Sequence, residues 1–466
     1  MTFFWLITIF FFVQQNFASQ INVYFTDPDN TNPALSYLSS NQKPIDFALR
    51  DFILSANSGT TMYMCIYEIN NTTITTAVDD VVNKGVKVYA VFNIGVTTTV
   101  FKTSFEYEKH GSTTTSQYMH NKFVVIKSSK VWTGSYNFTV SATNNQDNFA
   151  LEIFSKELAD IYEKAFLYIW DHGSDISVST RIAEFNGKEA ILDDGTKIKS
   201  YFNPYPYLQN LQLYQLYNVL IQNWYDNMNE KPEVESLYFS VAWFTENNVL
   251  ETLKILKTKN VLINGIVDDN DTNFGCYYTL WSSSIPVYFD SRKTNLGDGL
   301  MHHKFCVSDP YKPTAKTICG SANWSNSALQ SGSGKNYENI LVIESQPIAE
   351  RFYLEYLRLY NKIKSVSISS TQELLSNLKL YPNPAKKYFK TTFIPSESVK
   401  KINLIICTIY GRVVLEQKNL SFYPKVENNF ETVLDQTFED GLYYVLLEVE
   451  TDNGTKKYCK KLIIEK

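Results

Sequence analysis

The chain has 466 residues, 44% of them hydrophobic and 20% charged, with a formal net charge of -5. At ~100–200 residues per domain there is room for about three domains, each with a substantial core. This composition excludes wholesale disorder, a fibrous repeat and a generally basic nucleic-acid coat.

The first stretch, Met1 to Val13, is apolar and uncharged and stops before Gln14. It is shorter than the ~20 apolar residues a membrane helix needs, and it fits the apolar region of a secretory signal peptide. No Lys or Arg precedes the run, and Ala18 or Ser19 would supply a small residue at the cut. We expect a signal peptide over 1–19 and export of the chain, with an uncleaved anchor as the alternative.

Two halves then run in parallel. Tyr24-Phe25-Thr26-Asp27-Pro28 is echoed by Tyr201-Phe202-Asn203-Pro204. A strand from Thr61 to Tyr67, a helix from Thr72 to Lys84 and a strand from Val86 to Phe92 are followed in the first half. Ser236 to Phe244, Asn248 to Lys257 and Val261 to Val267 repeat them in the second. Such strand–helix–strand units favour parallel pairing in an α/β layer. YMHNKFVVI (118–126) then matches LMHHKFCVS (300–308), and GSYN (134–137) matches GSAN (320–323). Each half closes with an amphipathic helix, Ser155 to Trp170 and Ser345 to Tyr360. The spacing indicates an internal duplication, with domains expected over 20–180 and 181–368.

The paired motifs carry the chemistry. Side chains alternate on a strand, so His120 with Lys122, and His302 with Lys304, should face one cleft together. Gly134 and Gly320 let the backbone turn closely. Ser135 with Asn137, and Ser321 with Asn323, would present short polar donors to the same place. A cation, an amide and a hydroxyl around an imidazole suit the oxygens of a phosphate. The chain holds only five histidines (His110, His120, His172, His302 and His303), and the duplicated motif takes two. Alternation turns His303 to the opposite face. His110 and His172 read as surface residues. The six cysteines show no metal-ligand spacing, so we expect no metal. Pairing of Cys306 with Cys319, or of Cys407 with Cys459, stays open beside buried free thiols.

This pattern, HxK, four residues, Asp, then GSxN, resembles the phospholipase D superfamily over about 21–364. The second copy matches fully with His302, Lys304, Asp309, Gly320, Ser321 and Asn323. The first has Lys127 where the motif has Asp, a position the family uses structurally. The resemblance implies two pseudo-symmetric α/β domains with mixed β-sheets flanked by helices, an internal pseudo-dimer in a monomer, and no cofactor. It also implies an acidic residue after each GSxN that orients a histidine. Aligning Asn145 with Asn336 offers Asp147 and Glu338. Catalysis would run through a phosphohistidine, with one imidazole as nucleophile and the other as acid and base. Lys122, Lys304, Asn137, Asn323, Ser135 and Ser321 would hold the phosphate. In the family the first-motif histidine, here His120, is usually the nucleophile. The symmetry of the two motifs leaves both assignments open.

A phospholipid headgroup diester is the favoured substrate. The chain before Leu378 carries net charge -8, awkward for a polyanion whose affinity comes from phosphate neutralisation. Phe101, Phe105, Tyr107, Phe274, Tyr277, Tyr278, Leu280 and Trp281 would serve a membrane surface, or else belong to the core. The alternatives are an exported endonuclease acting on DNA or RNA, and a non-catalytic phosphate-binding surface protein.

A polar linker is expected over 369–377, then short strands with Gly turns, Ile402 to Val414, Phe438 to Glu450 and Lys456 to Lys466, which argue a small all-β sandwich over 378–466. Its YPNPA start, DGLYYV strand and KKLIIEK end are similar to the type A C-terminal sorting domain of the type IX secretion system. That resemblance implies transit of a Gram-negative periplasm, contact with the secretion machinery, and release or surface attachment.

Overall fold

A computed structural model describes residues 20–26, 28, 43–112, 117–173, 180–205, 215–226, 230–269, 271–290, 293–294, 297–368, 374–408, 413–452 and 454–466. The expected leader lies outside these residues. So do the side chains of Phe274, Cys407 and Cys459.

The first half runs β1 (Ile21–Phe25), α1 (Ile45–Leu54), β2 (Thr61–Ile66), α2 (Thr72–Asn83), β3 (Lys87–Asn93) and β4 (Glu106–His110). It continues with β5 (Lys122–Ile126), β6 (Lys130–Gly134), α3 (Val140–Asn144), β7 (Gln146–Asp147), β8 (Phe149–Phe154) and α4 (Lys156–His172). The second half runs β9 (Lys188–Ile191), β10 (Lys197–Asn203), α5 (Leu216–Gln222), β11 (Tyr225–Asp226), β12 (Lys231–Pro232), β13 (Ser236–Val241), α6 (Asn247–Thr258) and β14 (Leu262–Asp268). Then come α7 (Phe274–Ser282), β15 (Val287–Asp290), β16 (Lys293–Thr294), β17 (Gly297–Asp298), β18 (Leu300–Met301), β19 (Lys304–Ser308), β20 (Lys316–Gly320), α8 (Asn326–Leu329), β21 (Glu338–Glu344) and α9 (Gln346–Ile368).

The duplication is visible strand by strand. Among the described residues one sheet has the order β4-β3-β2-β5-β6-β8-β1, and the other β15-β14-β13-β19-β20-β21-β10, extended by β9. In both, the first three strands are parallel and the rest antiparallel. The strand–helix–strand units supply the parallel part, because a crossover helix returns the chain to the same edge.

Three apolar layers follow from strand alternation. Phe123 and Val125 of β5 face a central core shared by both halves, which also takes Phe305, Tyr162 of α4 and Phe352 of α9. Val124 and Ile126 face an outer core closed by α1 and α2. The second sheet has its own outer core under α5, α6 and α7. The helices are started by sequence-local caps. Asn71 accepts from Thr73 N–H at α2, and Ser155 from Leu158 N–H at α4, contacts worth ~1 kcal/mol each.

The tail forms two antiparallel sheets over one core, β22 (Leu375–Tyr381), β23 (Tyr388–Pro395) and β26 (Asn428–Val433) against β25 (Val413–Gln417), β24 (Lys401–Thr408), β27 (Gly441–Thr451) and β28 (Gly454–Ile464). Part of the expected linker is therefore strand. Leu375 is buried and pairs with Pro395, so the apolar residue draws the segment into the sheet.

Most of the aromatics read as a possible lipid interface are packing residues. Tyr278 and Leu280 are buried, Tyr277 stacks on Phe289, and Phe101 and Phe105 pack on each other and on Phe92. Tyr107 and Trp281 are exposed. The thiols of Cys65, Cys276, Cys306 and Cys319 are free and buried, so Cys306 and Cys319 do not pair.

Candidate active site

The two HxK segments lie at the N-terminal ends of the matching central strands β5 and β19, each tied to the other half. His120 N–H donates to Tyr337 O at 3.1 Å, and His302 N–H donates to Asp147 O at 2.9 Å. The short strand β18 pairs with β7 in parallel, and Met119 makes the equivalent bridge to Tyr337. The backbone thus carries both imidazoles across the pseudo-twofold.

The rings are held by crossed contacts. Nδ1 of His120 lies 2.7 Å from Oε1 of Glu338, and Nδ1 of His302 lies 2.9 Å from Oδ1 of Asn148. Asn148 Nδ2 donates to Ala142 O, so its carbonyl oxygen faces the ring. Nδ1 of His302 therefore carries the hydrogen, as does Nδ1 of His120 when Glu338 is ionised, and each Nε2 then keeps its lone pair.

Asp147 is not the orienter that the sequence alignment assigned. Ser135 N–H donates to Phe149 O, and Ser321 N–H donates to Asn339 O. That register makes Asn148 the counterpart of Glu338, and Asp147 the counterpart of Tyr337. Asp147 points away from His302 and bonds Arg358 instead, Oδ1 to Nη2 at 2.7 Å. The helix starts held the correct spacing, since Ser155 and Ser345 are 190 apart whereas Asn145 and Asn336 are 191 apart.

The two serine hydroxyls also differ from expectation, facing the orienting groups. Ser135 Oγ donates to Asn148 Oδ1 at 3.0 Å, and Ser321 Oγ donates to Glu338 Oε2 at 2.5 Å. Each hydroxyl also accepts from the next strand, Phe149 N–H and Asn339 N–H respectively. With its single proton committed and the residue fully buried, neither hydroxyl is a phosphate donor. Both brace the group that orients a histidine.

Gly134 and Gly320 are needed for this brace. A Cβ would lie 2.4 Å from Phe149 O at Gly134 and 2.1 Å from Asn339 O at Gly320.

Both lysines are buried. Lys122 Nζ donates to His120 O at 2.5 Å and Lys304 Nζ to His302 O at 2.9 Å, leaving two protons on each ammonium. Lys122 lies over the Tyr67 ring and Lys304 over the Trp243 ring. Burial lowers Lys122 to about 7, and burial with Lys122 nearby holds Lys304 well below the ordinary lysine value. Burial and the two lysines likewise hold both imidazoles well below the ordinary histidine value. Burial pushes Glu338 up to about 8, against the pull of Lys122, Ser321, Asn336 and Lys304. Burial thus favours the neutral form of each of these groups in the empty site, and an anionic phosphate among them would favour the protonated lysines and imidazoles.

Asn137 and Asn323 sit in matching turns, whose next residues donate to Glu68 O and Trp243 O respectively, and those two residues break the symmetry. Glu68, exposed, lies 3.4 Å from Asn137 Nδ2. Its counterpart in the second half is Trp243, whose ring also packs edge-on against His302. Tyr67 does the same for His120. Glu68, Tyr67, Trp243 and Asn148 carry no motif signal and became visible only in the fold.

Asp309 lies outside the centre and accepts from the N–H groups of Glu235 and Ser236 and from Ser236 Oγ. Lys127, in the matching place, pairs with Glu163 of α4 at 2.7 Å. His303 faces away from the cleft, bonded to Glu355. His172 is exposed and His110 is half-buried beside Glu108. Asp147, His303 and Glu355 bring ligand atoms within 4.8 Å of one another, a spacing that could hold a metal. The cation between the two carboxylates is Arg358, at 2.7 and 2.6 Å.

Duplicated mixed sheets with a histidine–lysine pair from each half define the class of proteins built on paired phospholipase D-like domains. Residues 49–170 and 230–360 match the family described as cardiolipin synthase, PLD-like domain, and the chain belongs to it. Residues 379–465 match the secretion system C-terminal sorting domain. A phospholipase D of Rickettsia prowazekii (strain Madrid E) is 32% identical over 105 residues, 22% of this chain and 51% of the relative. A mitochondrial cardiolipin hydrolase of Xenopus laevis is 30% identical over 133 residues, 27% of this chain and 55% of the relative. The chain spans about half the length of the curated relatives it matches. The structure of a phosphatidylserine synthase from Haemophilus influenzae Rd KW20 is similar at TM-score 0.49 and 13% identity, over 69% of this chain and 84% of that one.

Proposed function

We propose that the protein is an exported phosphodiesterase that hydrolyses phospholipid headgroup diesters through a phosphohistidine on His120. The observation that carries the reading is the unequal pair of ring partners, a carboxylate at His120 and a neutral amide at His302.

Attack by His120 Nε2 on phosphorus breaks the bond to the headgroup oxygen and leaves a cationic phosphoimidazole. That cation, at Nδ1–H, favours the ionised form of Glu338, which burial holds up at about 8 in the empty site, and His302 has no such acidic partner. His302 Nε2–H gives its proton to the leaving oxygen. The same nitrogen then takes a proton from water, which attacks phosphorus and returns His120. The phosphate's own negative charge offsets the lysines and lets His302 hold its proton in the complex. Lys122, Lys304, Asn137 and Asn323 stabilise the charge that develops on the equatorial oxygens.

Two features favour lipid over nucleic acid. The region before the tail carries net charge -8, and an exposed carboxylate, Glu68, stands beside Asn137 at the pocket. Both repel a polyanion. The sorting domain supports secretion or surface attachment through its own secretion machinery, with domains over 20–180, 181–368 and 378–466.

The test is headgroup release from phosphatidylethanolamine and phosphatidylcholine vesicles beside plasmid and RNA cleavage, using wild type and His120→Ala. Headgroup release abolished in the variant is expected. DNA or RNA cleavage without headgroup release overturns the lipid assignment. No hydrolysis of any substrate by wild type overturns the enzyme reading.

A further inference from the structure

Behind His302 lies a buried charged ring that the mechanism above does not use. Arg358, on α9, reaches across to the first half and bonds Asp147 Oδ1 through Nη2 at 2.7 Å. Its guanidinium is fixed at two points by Glu355, Nε to Oε2 at 2.8 Å and Nη2 to Oε1 at 2.6 Å. Glu355 Oε1 also accepts from His303 Nε2 at 2.8 Å. His303 is covalently next to His302, and Asp147 is covalently next to Asn148. The backbone oxygen of Asp147 accepts His302 N–H, and Asn148 takes its ring. The contacts close a loop that starts and ends at His302.

Among the described residues the first half shows no counterpart. By the register established above, His303 matches Asn121 and Asp147 matches Tyr337; along the closing helices Glu355 matches Ala165 and Arg358 matches Tyr168. On that side Asn121 Oδ1 accepts from Asn339 Nδ2, a neutral contact. A buried ion cluster is a poor source of net stability, because desolvation cancels most of its attraction. Its value is geometric, since bidentate guanidinium–carboxylate contacts fix both distance and direction.

We propose that Arg358 is a positioning residue for His302, clamping the 147–148 segment of the first half to α9 so that Asn148 holds the acid/base imidazole in line. His120 is positioned by other contacts and does not depend on the clamp. The proposal rests on the assignment of His302 as acid and base.

Leaving groups separate the two histidines. A p-nitrophenyl diester needs no proton on its leaving group, so its burst of p-nitrophenolate reports attack by His120 alone. An alkyl headgroup needs the His302 proton. In the full-length protein, Arg358→Met and the near-isosteric Asp147→Asn should lower turnover of the alkyl substrate at least ~10-fold, from the ~10²-fold sensitivity of rates to a 1 Å misplacement. The burst rate should stay within about threefold, and Arg358→Lys should recover part of the alkyl activity. Equal losses in burst and alkyl turnover in Asp147→Asn, or no loss in either, overturn the proposal. If wild type itself shows no burst and no phosphohistidine, the reading of the site falls instead.

Discussion

Nδ1 of His120 and Oε1 of Glu338 stand 2.7 Å apart although 218 residues separate them in the chain. The carboxylate follows the second GSxN turn, and the imidazole precedes the first β-strand of its own motif. Each half of the duplication therefore completes the other half's histidine, and neither half alone holds an oriented imidazole.

Replacing the two histidines should have different consequences. His120→Ala should form no covalent phosphoenzyme from any substrate. His302→Ala should still accumulate it from a p-nitrophenyl diester, while its alkyl turnover falls by the ~10²–10⁴-fold typical of a lost general acid. Mass spectrometry of the acid-sensitive adduct checks this. An adduct in His120→Ala would move the nucleophile to His302.

Asn148→Asp should shift the pH profile upward. Burial, Lys304 and Lys122 hold the His302 pKa low. A carboxylate at its Nδ1–H stabilises the imidazolium and raises that pKa, so the acid proton persists to higher pH. The alkaline limb of kcat/KM should move up by ~1 unit, measured from pH 5 to 9. An unmoved limb would remove His302 from the acid role.

Anion binding should weaken as pH rises through neutrality. Lys122 is lowered to about 7, so the empty pocket loses that positive charge above this pH. A bound anion raises the lysine pKa, and binding is therefore linked to proton uptake. Inhibition by sulfate should weaken up to ~10-fold per pH unit above about 7, and Lys122→Met should remove most of this dependence.

Glu68→Gln should relax the bias against polyanions. Loss of the exposed carboxylate beside Asn137 should raise binding of a single-stranded oligonucleotide at low salt and leave p-nitrophenyl diester turnover within about threefold. The gain should vanish at high salt, since exposed charges are screened there. Unchanged oligonucleotide affinity at every salt concentration would remove Glu68 from substrate selection.

Gly320→Ala should destabilise the protein. Its Cβ would meet Asn339 O at 2.1 Å, and backbone cannot yield as a flexible side chain does. A cost of ~1–3 kcal/mol, the range for overpacking, should appear as a lower denaturation midpoint, along with weakened activity as the Ser321–Glu338 brace shifts.

The duplication, the strand–helix–strand order and the paired His, Lys and Asn positions were legible because they are local. Two periodicities, a four-letter turn and a repeated triplet carry them. Even the correct register was present in the 190-residue spacing of Ser155 and Ser345, although a superficial match of Asn145 with Asn336 concealed it. Asp147 was misread because one residue of slip in a strand exchanges the two faces of the sheet. Ser135 and Ser321 were misread because composition cannot say where a hydroxyl's single proton goes.

The amino-acid order by itself determined two repeats, an α/β architecture, the histidine and lysine pairs and a separate β-rich tail, since each follows from short-range pattern. The tertiary structure alone decided which group faces which ring, and so made two nearly identical motifs unequal. Hydrogen bonds depend on distances of a few ångströms between residues up to 218 apart in the chain, and such proximity is set by packing of the two halves rather than by any window of sequence.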